Sequence, residues 1–375
     1  MDRILYLVTG PNSMLNSQIK ESIDYIGKEC DLDVQFLAHR TQKDTTFDSK
    51  YSLSFIDGKF MLKLLLQINP LNNLLDLNIY RTLYCRGTLA GWVGIIVKKY
   101  YPNIKLITDF RGLVSDELNY NSNIFKSIKS ILYRVLERKI YLLSDLLFVV
   151  SSNFKNHILS IEKSINSNKI VPIRPFVNHN KFKYNKLERI HIRKELGLKD
   201  QDISLIYVGG VSSWQMVPDM FYLYHELKKL NSNFRFILIT HNVKSLEKVL
   251  SKNNIDLGDV IVKSVSNEEV SKYLNAADFG LLLRDSNLTN HVAYPTKFSE
   301  YLLSGLPVIM TRNIGCISDT SPDNSIILEG LEKIDYFSIN YLIQNRDFNR
   351  FKISKDYLKL LSNKEIYEKI KSIEK

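Results

Sequence analysis

Short apolar segments alternate with longer stretches of helical periodicity along the first half of the chain. This pattern predicts strands at residues 3–8, 34–38, 82–85, 105–108 and 146–150, and helices at 18–28, 89–100 and Ile124–Leu143. Strands that alternate with helices form parallel sheets whose two faces the helices cover. The first half is therefore predicted to be a doubly wound α/β domain.

The same alternation restarts in the second half. It predicts strands at 204–208, 234–240, 260–263, 279–283 and 307–310, and helices at Val217–Leu230, 243–253, 267–275 and 296–304. A polar stretch at 175–188 separates the halves, and a helix at 189–196, ended by Gly197, follows it. We expect domains at 1–178 and 189–335, with a helical tail at 336–375 that packs back toward the first domain.

The loops after the strands are where function is expected, because ligands of open parallel sheets bind beyond the carboxyl ends of the strands. Two doubly wound domains would bring two such edges to face each other across a cleft. Polar and glycine residues in these loops are therefore the first candidates for a site.

Charge and cysteine content narrow the setting. The 375 residues carry a net charge of +11, which suits nucleic acid, an anionic membrane or a phosphorylated substrate. Three separated cysteines, Cys30, Cys85 and Cys316, favour a reducing compartment. The apolar start of the chain is interpreted as a strand rather than a signal peptide, and no run of apolar residues is long enough to span a bilayer. We expect a cytoplasmic protein.

The most informative segment runs from 276 to 310. A strand is followed by a polar loop with Arg284, Asn290 and His291, and then by Pro-Thr-Lys-Phe-Ser-Glu-Tyr at 295–301. A helix that opens at Pro295–Thr296 presents backbone N–H groups that bind phosphate, and Lys297 adds a positive charge. Glu300, one turn further, is placed to accept hydrogen bonds from sugar hydroxyls.

This segment resembles the donor-binding segment of the retaining glycosyltransferases of family 4. Asp278 beside a strand, Pro-x-Lys-x-x-Glu-Tyr and Gly-x-Pro-Val-Ile are all present. The resemblance implies the GT-B fold and retaining transfer from a UDP- or GDP-linked sugar. It also implies no cofactor beyond that donor. Many members have an earlier glutamate, where this chain has Val292; Asn290 or His291 is the candidate substitute.

A second segment of the resemblance is Gly209-Gly210, directly after a predicted strand. Glycines there let backbone amides approach a diphosphate without obstruction by Cβ. The arginine and lysine that the family often places after these glycines are missing. Arg284 and Lys297 are the candidates for that charge, because an anion held in a cleft needs compensation.

Strand-end residues of the first half resemble the acceptor-side domain of the same family. They are Gly10 and Asn12, Arg86, and the pair Asp109 and Arg111. Asp109 and Arg111 would position an acceptor hydroxyl or phosphate and, with Glu300, are the catalytic candidates. The alternative is a structural Asp–Arg pair within a turn.

The helix Ile124–Leu143 is basic and amphipathic. Its apolar positions Ile124, Ile128, Ile131, Leu132 and Val135 share one face, and its cations are Lys126, Lys129, Arg134, Arg138 and Lys139. One interpretation is docking on anionic lipid, with the protein peripheral on the inner face of the membrane. The other, which we favour from sequence alone, is a domain helix whose apolar face is core.

The sequence thus predicts a glycosyltransferase that acts on a glycan or lipid-linked acceptor, in surface polysaccharide biosynthesis. A nucleotide-sugar 2-epimerase would share the donor site. A basic nucleic-acid-binding protein would share the charge, but no nucleic-acid motif is present, and we expect no such partner. The triplets at 31–33 and 200–202 have the Asp-x-Asp form of metal sites, but they lie away from the strand-end loops, so we expect no metal.

Overall fold

The computed structural model describes residues 3–9, 19–39, 52–56, 63–64, 66–71, 75–120, 124–315, 325–331, 339–340, 343–344, 346–361 and 365–374. The chain forms two compact units. The first comprises Met1–Phe176, His291–Tyr294 and Asn363–Lys375, and the second comprises Val177–Asn290 and Pro295–Ser362. The boundary between Phe176 and Val177 lies inside the polar stretch at 175–188.

The first unit contains a parallel sheet of seven described strands. The strands are β1 (Ile4–Thr9), β2 (Leu32–His39), β3 (Ser52–Ile56), β4 (Thr82–Arg86), β5 (Lys105–Phe110), β6 (Leu146–Val149) and β7 (Ile170–Pro172). The helices are α1 (Lys20–Ile26), α2 (Thr88–Tyr100), α3 (Val114–Asn119), α4 (Ile124–Leu143) and α5 (Ser152–Ile161). Across the sheet the strands lie in the order β3-β2-β1-β4-β5-β6-β7, so the direction of strand addition reverses between β1 and β4.

The second unit repeats this plan. It contains α6 (Lys186–Glu195), β8 (Ile203–Val208), α7 (Val217–Leu230), β9 (Phe234–Ile239), α8 (Val243–Lys252), β10 (Ile261–Lys263), α9 (Val270–Ala276), β11 (Phe279–Leu282), α10 (Leu288–Val292), α11 (Thr296–Leu303), β12 (Val308–Thr311), β13 (Ser325–Leu328) and α12 (Arg346–Leu360). The last two residues of α10 belong to the first unit. The strand order β10-β9-β8-β11-β12-β13 reverses between β8 and β11. The prediction of two doubly wound parallel-sheet domains is confirmed.

The central strands are mostly apolar because helices cover both faces of each sheet. Every residue of β8 and β11 is buried. In the first unit, the rings of Tyr6 and Tyr84 stack across neighbouring strands with their centroids 4.7 Å apart. The sequence pattern missed β3, β7 and β13, which are short and lie at or near the sheet edges.

Asparagine side chains cap two helices at which the structure departs from the prediction. Helix α6 begins at Lys186 rather than 189, since the Asn185 side chain accepts hydrogen bonds from the N–H groups of Leu187 and Glu188. The segment predicted as a polar loop after β11 contains α10, and the Asn287 side chain accepts from the N–H of Asn290 at its start.

Asp278 lies at the amino end of β11 and is 2% exposed. It is the acidic residue of the segment 276–310 that resembles the donor-binding segment of the family. Its carboxylate accepts a hydrogen bond from Arg189 at 2.6 Å and from the backbone N–H of Ser204 at 2.7 Å. Arg193 lies 3.4 Å from Oδ2, the carboxylate oxygen that accepts from Ser204. Asp278 therefore fastens α6 to the sheet, at the end opposite the strand-end loops.

The structure divides the residues predicted as one helical tail. Helix α12 belongs to the second unit, where the Tyr357 and Ser299 hydroxyls lie 2.7 Å apart. A final helix, α13 (Glu365–Glu374), belongs to the first unit. Its residues Ile366 and Ile370 are buried in the hydrophobic core of that unit. A Cβ at Gly305, whose φ is +73°, would lie 2.5 Å from the backbone oxygen of Arg350 in α12, so this turn accepts only glycine.

Candidate active site

The predicted donor residues of the second unit gather where its strand order reverses. Gly209 and Gly210 directly follow β8, and Arg284 follows β11, the strand paired with β8 at this point. Helix α11, with Lys297 and Glu300, runs from the same region toward β12. A reversal point of this kind opens a crevice beyond the carboxyl ends of the strands, which is where ligands of such sheets bind.

A chain of hydrogen bonds joins Arg284 to the glycine turn. The Arg284 side chain donates to the Tyr207 hydroxyl, which donates in turn to the backbone oxygen of Gly210 at 2.7 Å. Burial raises the pKa of Tyr207, and the nearby Arg284 charge offsets part of that rise. Tyr207 is a site residue that the sequence reasoning missed, since its position inside an apolar strand gives no signal of a polar role.

Arg284 is also fixed by its backbone. Its N–H donates to the Thr311 hydroxyl at 2.9 Å, and that hydroxyl donates back to the Arg284 carbonyl at 2.8 Å. The next residue, Asp285, donates its N–H to the Trp214 carbonyl at 3.2 Å. These bonds hold the loops after β8, β11 and β12 in one arrangement, so Arg284 is a preorganised cation.

Gly209 needs to be glycine for a reason other than the one predicted. A Cβ there would lie 2.6 Å from the Tyr207 hydroxyl oxygen. That contact is shorter than any real Cβ contact, so a side chain at this position would displace Tyr207 from Gly210 and Arg284. The glycine thus protects the hydrogen-bond chain, in addition to any approach of a ligand to the backbone.

Helix α11 begins at Thr296, as the sequence predicts. Pro295 has extended backbone angles and forms the N-cap, and its carbonyl accepts from the N–H of Phe298 at 3.0 Å. Lys297 Nζ and Glu300 Oε2 lie 2.9 Å apart, so the two side chains form an ion pair across one turn. Both are largely buried, with 25% and 11% of their side chains exposed. The Lys297 charge is therefore shared with Glu300 before any ligand binds.

Tyr301, the last residue of the Pro-x-Lys-x-x-Glu-Tyr pattern, has a structural role. Its hydroxyl accepts the backbone N–H of Val208 at 3.1 Å, which ties α11 to the end of β8. A Cβ at Gly280 would lie 2.4 Å from its ring, so the ring packs directly on the backbone of β11. Burial raises the pKa of Tyr301, so the hydroxyl stays protonated at physiological pH.

Val292 occupies the position of the missing glutamate, and it differs in exposure from the two candidate substitutes, Asn290 and His291. Asn290 is 3% exposed and its side-chain amide donates to the Asp285 carbonyl at 2.9 Å, so it shapes the loop. His291 is exposed, and its backbone carbonyl accepts from the Asn153 side chain at 3.1 Å. Val292 is fully buried, and its carbonyl accepts the Ser151 hydroxyl at 2.6 Å. His291 is thus the candidate substitute with an exposed side chain.

In the first unit, Asp109 is the centre of a buried cluster at the end of β5. One carboxylate oxygen, Oδ2, accepts from the Tyr84 hydroxyl at 3.0 Å and from Arg111 at 2.6 Å and 2.9 Å. Arg86, the residue paired with Asp109 on β4, lies 3.6 Å from the same oxygen. Asp109 is 0% exposed, so its direct action is to hold the two arginines.

Arg111 is the member of this cluster that reaches the surface. Its side chain is 16% exposed and its guanidinium lies 5.2 Å from the centre of the Phe176 ring. Burial is the largest influence on the pKa of Arg111 and would lower it, but the Asp109 carboxylate and the Tyr84 and Tyr6 side chains together raise it. The other proposed acceptor residues of this edge, Gly10 and Asn12, lie outside the described residues.

A second buried carboxylate near this edge was missed by the sequence reasoning. Glu137 of α4 is 2% exposed and accepts from the Ser115 hydroxyl at 2.6 Å, from the Ser115 N–H at 3.2 Å and from Thr88 at 3.4 Å. Burial raises the pKa of Glu137 to about 7, against hydrogen bonds that lower it. It links α4 to α3 and to the first residue of α2, which follows the β4 loop.

Both Asp-x-Asp triplets contribute to structural pairs near the amino ends of strands. Asp33 pairs with Arg3 at 2.8 Å and accepts the Tyr80 hydroxyl. Asp202 pairs with Arg235 at 3.1 Å. Among the residues that the structure describes, no group of three His, Cys, Asp or Glu side chains is placed to hold a metal ion.

The favoured interpretation of α4 as a helix with its apolar face in the core is wrong. Ile128, Ile131, Leu132, Val135 and Leu142 share one arc of the helix and are between 39% and 61% exposed; we call this arc the outer face. The core side of α4 is formed by Ser130, Leu136, Glu137, Ile140 and Tyr141. Helix α4 is therefore apolar on two sides. Among the described residues, no helix is long and apolar enough to cross a membrane.

Several solved structures share this architecture. HepE from Anabaena, solved with UDP, matches at a TM-score of 0.74 and 14% identity, covering 99% of this chain and 100% of that chain. Sucrose-phosphate synthase from Thermosynechococcus elongatus matches at 0.73 and 14% identity over the whole of both chains. WaaG, a glycosyltransferase involved in lipopolysaccharide biosynthesis, matches at 0.62 and 13% identity over 99% and 98% of the two chains.

The chain has the GT-B fold. No protein-family model and no curated protein sequence matches it, so the likeness is carried by the backbone. In this GT-B chain, Gly209, Gly210, Arg284, Lys297 and Glu300 lie together in the second unit. Arg86, Asp109 and Arg111 lie together in the first.

Proposed function

We propose that this protein is a glycosyltransferase that moves a hexosyl or related sugar from a UDP- or GDP-linked donor to an acceptor, with retention. The observation that carries the proposal is the arrangement of Arg284, Tyr207 and the Gly209-Gly210 turn beside the reversal point of the second sheet. A fixed guanidinium next to a glycine turn at such a point suits a diphosphate.

Each donor-side residue has a proposed role. Arg284 binds the diphosphate from the side of β11, and Lys297 with the start of α11 binds it from the other side. A diphosphate would compete with Glu300 for Lys297, which frees Glu300 to accept hydrogen bonds from the ribose or sugar hydroxyls. The two cations would also stabilise the leaving diphosphate as charge develops on it.

The proposed acceptor is a glycan or lipid-linked sugar, in polysaccharide biosynthesis. Arg86 and Arg111, held by Asp109, supply positive charge at the edge of the first sheet. We also propose that the protein associates with the inner face of the membrane through α4. Anionic vesicles should bind it at low salt and release it at high salt, whereas equal binding to neutral vesicles would contradict this association.

A ligand screen tests the proposed transfer. UDP, GDP, ADP and their sugar conjugates are added in hundredfold excess over their dissociation constants, where a true ligand stabilises the fold by about 2.7 kcal/mol. UDP or GDP conjugates should raise the melting temperature, and no response to any of them would contradict the donor site. A new sugar epimer formed from donor alone would favour an epimerase instead of a transferase.

A further inference from the structure

A cavity of about 480 Å³ lies between α2 and α4 of the first unit, away from the residues assigned to transfer. Its apolar walls are Trp92, Ile95 and Ile96 from α2, and Leu142 and Leu143 from α4. This volume lies within the ~300–1,000 Å³ range of pockets that bury small ligands. The wall composition suits a hydrocarbon chain.

The cavity also has cationic side chains around it. Lys98, Lys99 and Lys139 line it together with Gln67. Lys98 pairs with Asp145, and Lys99 donates to the Gln67 side chain at 3.1 Å. Lys139 is exposed on α4, one turn before the leucines of the wall. An apolar interior with an ammonium group at an exposed position complements a molecule with a hydrocarbon chain and an anionic head.

The cavity is continuous with the outer face of α4. Leu142 belongs to both, and Leu142 and Leu143 are 44% and 50% exposed, so the wall of the cavity reaches the surface. Exposed apolar residues that are contiguous in this way mark interaction sites. Helices with an exposed apolar arc and flanking cations lie in the interface of anionic bilayers.

We propose that the cavity between α2 and α4 receives one hydrocarbon chain of an anionic phospholipid while the outer face of α4 lies in the membrane interface. Lys139 then faces the lipid headgroup. This inference rests on the proposed membrane association and adds a defined lipid site to it. The lipid is bound as part of the bilayer and takes no part in sugar transfer.

The test uses the two tryptophans of the chain, Trp92 and Trp214. In a Trp214→Phe variant, Trp92 is the single tryptophan; it is 9% exposed and lines the cavity. Anionic vesicles whose phospholipid chains carry bromine at mid-chain should quench its emission, because bromine quenches on contact. Unbrominated anionic vesicles, brominated neutral vesicles and inorganic phosphate should not quench the emission.

Variants in the same background locate the site. Leu143→Glu places a carboxylate in the wall and should abolish quenching, and Lys139→Gln should weaken it. Leu187→Glu and Lys163→Gln, exposed positions outside the cavity, are the matched controls and should quench like the parent background. Melting temperatures establish that each variant is folded.

Three results would overturn the proposal: vesicle binding by sedimentation without quenching, quenching that survives Leu143→Glu, or equal quenching by neutral brominated vesicles. Sedimentation reports membrane association separately from the cavity. UDP affinity, measured on the parent protein with both tryptophans, reports the donor site, so failure of the lipid site is distinguishable from failure of the proposed function.

Discussion

The strand-end edges of the two units contain the same charges in different arrangements. The three charged residues assigned to each edge are two cations and one carboxylate: Arg86, Arg111 and Asp109 in the first, and Arg284, Lys297 and Glu300 in the second. Asp109 is fully buried and binds both arginines through one oxygen. Glu300 pairs with Lys297 alone, while Arg284 donates to neutral groups, the Leu283 carbonyl and the Tyr207 hydroxyl.

This difference separates a structural carboxylate from a functional one. Because Asp109 has no access to solvent, its loss would leave two buried guanidinium groups without their shared counterion. Glu300 and Lys297 are partly accessible, so an anionic ligand can take the place of Glu300 at Lys297. The second edge is therefore the better anion site, although the three assigned residues of each edge have the same net charge.

The largest expected effect is on stability, from neutralising Asp109. Asp109→Asn should lower the free energy of unfolding by about 3–5 kcal/mol, because it leaves buried cations unpaired. Glu300→Gln should cost less than Asp109→Asn, since its partner Lys297 keeps 25% of its side chain exposed and can be solvated when the carboxylate is lost. Urea denaturation of both variants measures this contrast, with the exposed Asp256→Asn as control. Equal losses of unfolding free energy in Asp109→Asn and Glu300→Gln would contradict the separation of a structural carboxylate from a functional one.

A pH-dependent loss of stability should arise from Glu137. Its pKa is raised from 4.5 to about 7 in the folded state, so the folded protein holds this proton more tightly than the unfolded chain. The contribution of Glu137 to the free energy of unfolding is complete below about pH 4.5 and is lost as the pH rises through about 7. Across that window the loss amounts to about 3 kcal/mol.

Glu137→Gln should remove this slope, because the amide still accepts from Ser115 but does not ionise. Unfolding free energies at pH 5 and pH 8, for parent and variant, provide the measurement. Glu162→Gln, at a surface carboxylate, is the control and should keep the slope of the parent. A parent and a Glu137→Gln variant with parallel pH profiles would show that Glu137 ionises normally in the folded protein.

Nucleotide binding should depend on the cations of the second edge. Lys297→Ala and Arg284→Met should each weaken UDP or GDP binding by about 1.5–3 kcal/mol, since a phosphate loses a charge-assisted hydrogen bond. Glu300→Gln should preserve nucleotide affinity and lower the transfer rate. Calorimetric titration and a transfer assay separate these effects.

The matched control for these variants is Lys248→Ala, an exposed lysine of α8. It should bind nucleotide as the parent does. Parent-like affinity in both Lys297→Ala and Arg284→Met would contradict the donor site at the reversal point of the second sheet.

The smallest expected effect is that of a chelator on nucleotide affinity. Arg284, Lys297 and the start of α11 supply positive charge to the diphosphate, so we expect binding to proceed without a divalent ion. Titrations with UDP in EDTA and in magnesium should give the same affinity. A marked loss in EDTA would mean that the second edge needs a metal in addition to its two cations.

Local patterns in the sequence determined most of the secondary structure and the grouping of the donor residues. Mostly apolar strands such as β8 and β11 are typical of sheets covered on both faces, and this pattern predicts two parallel sheets. Parallel strands end at one edge, so Gly209, Arg284 and the start of α11 were expected to lie together, and they do. Asparagine caps shifted α6 and added α10, because a cap depends on one side chain rather than on periodicity.

Long-range contacts decided what those patterns left open. Periodicity marks the apolar positions of α4, but with apolar residues on two sides of the helix it does not tell which side meets the sheet. Tyr207 takes its role from Arg284, and Asp109 takes its burial from Tyr84 and Arg86, each on another strand or loop. Burial and pairing are properties of the packed neighbours, so the tertiary structure alone separates the carboxylate that holds the fold from the one that is free to exchange its partner.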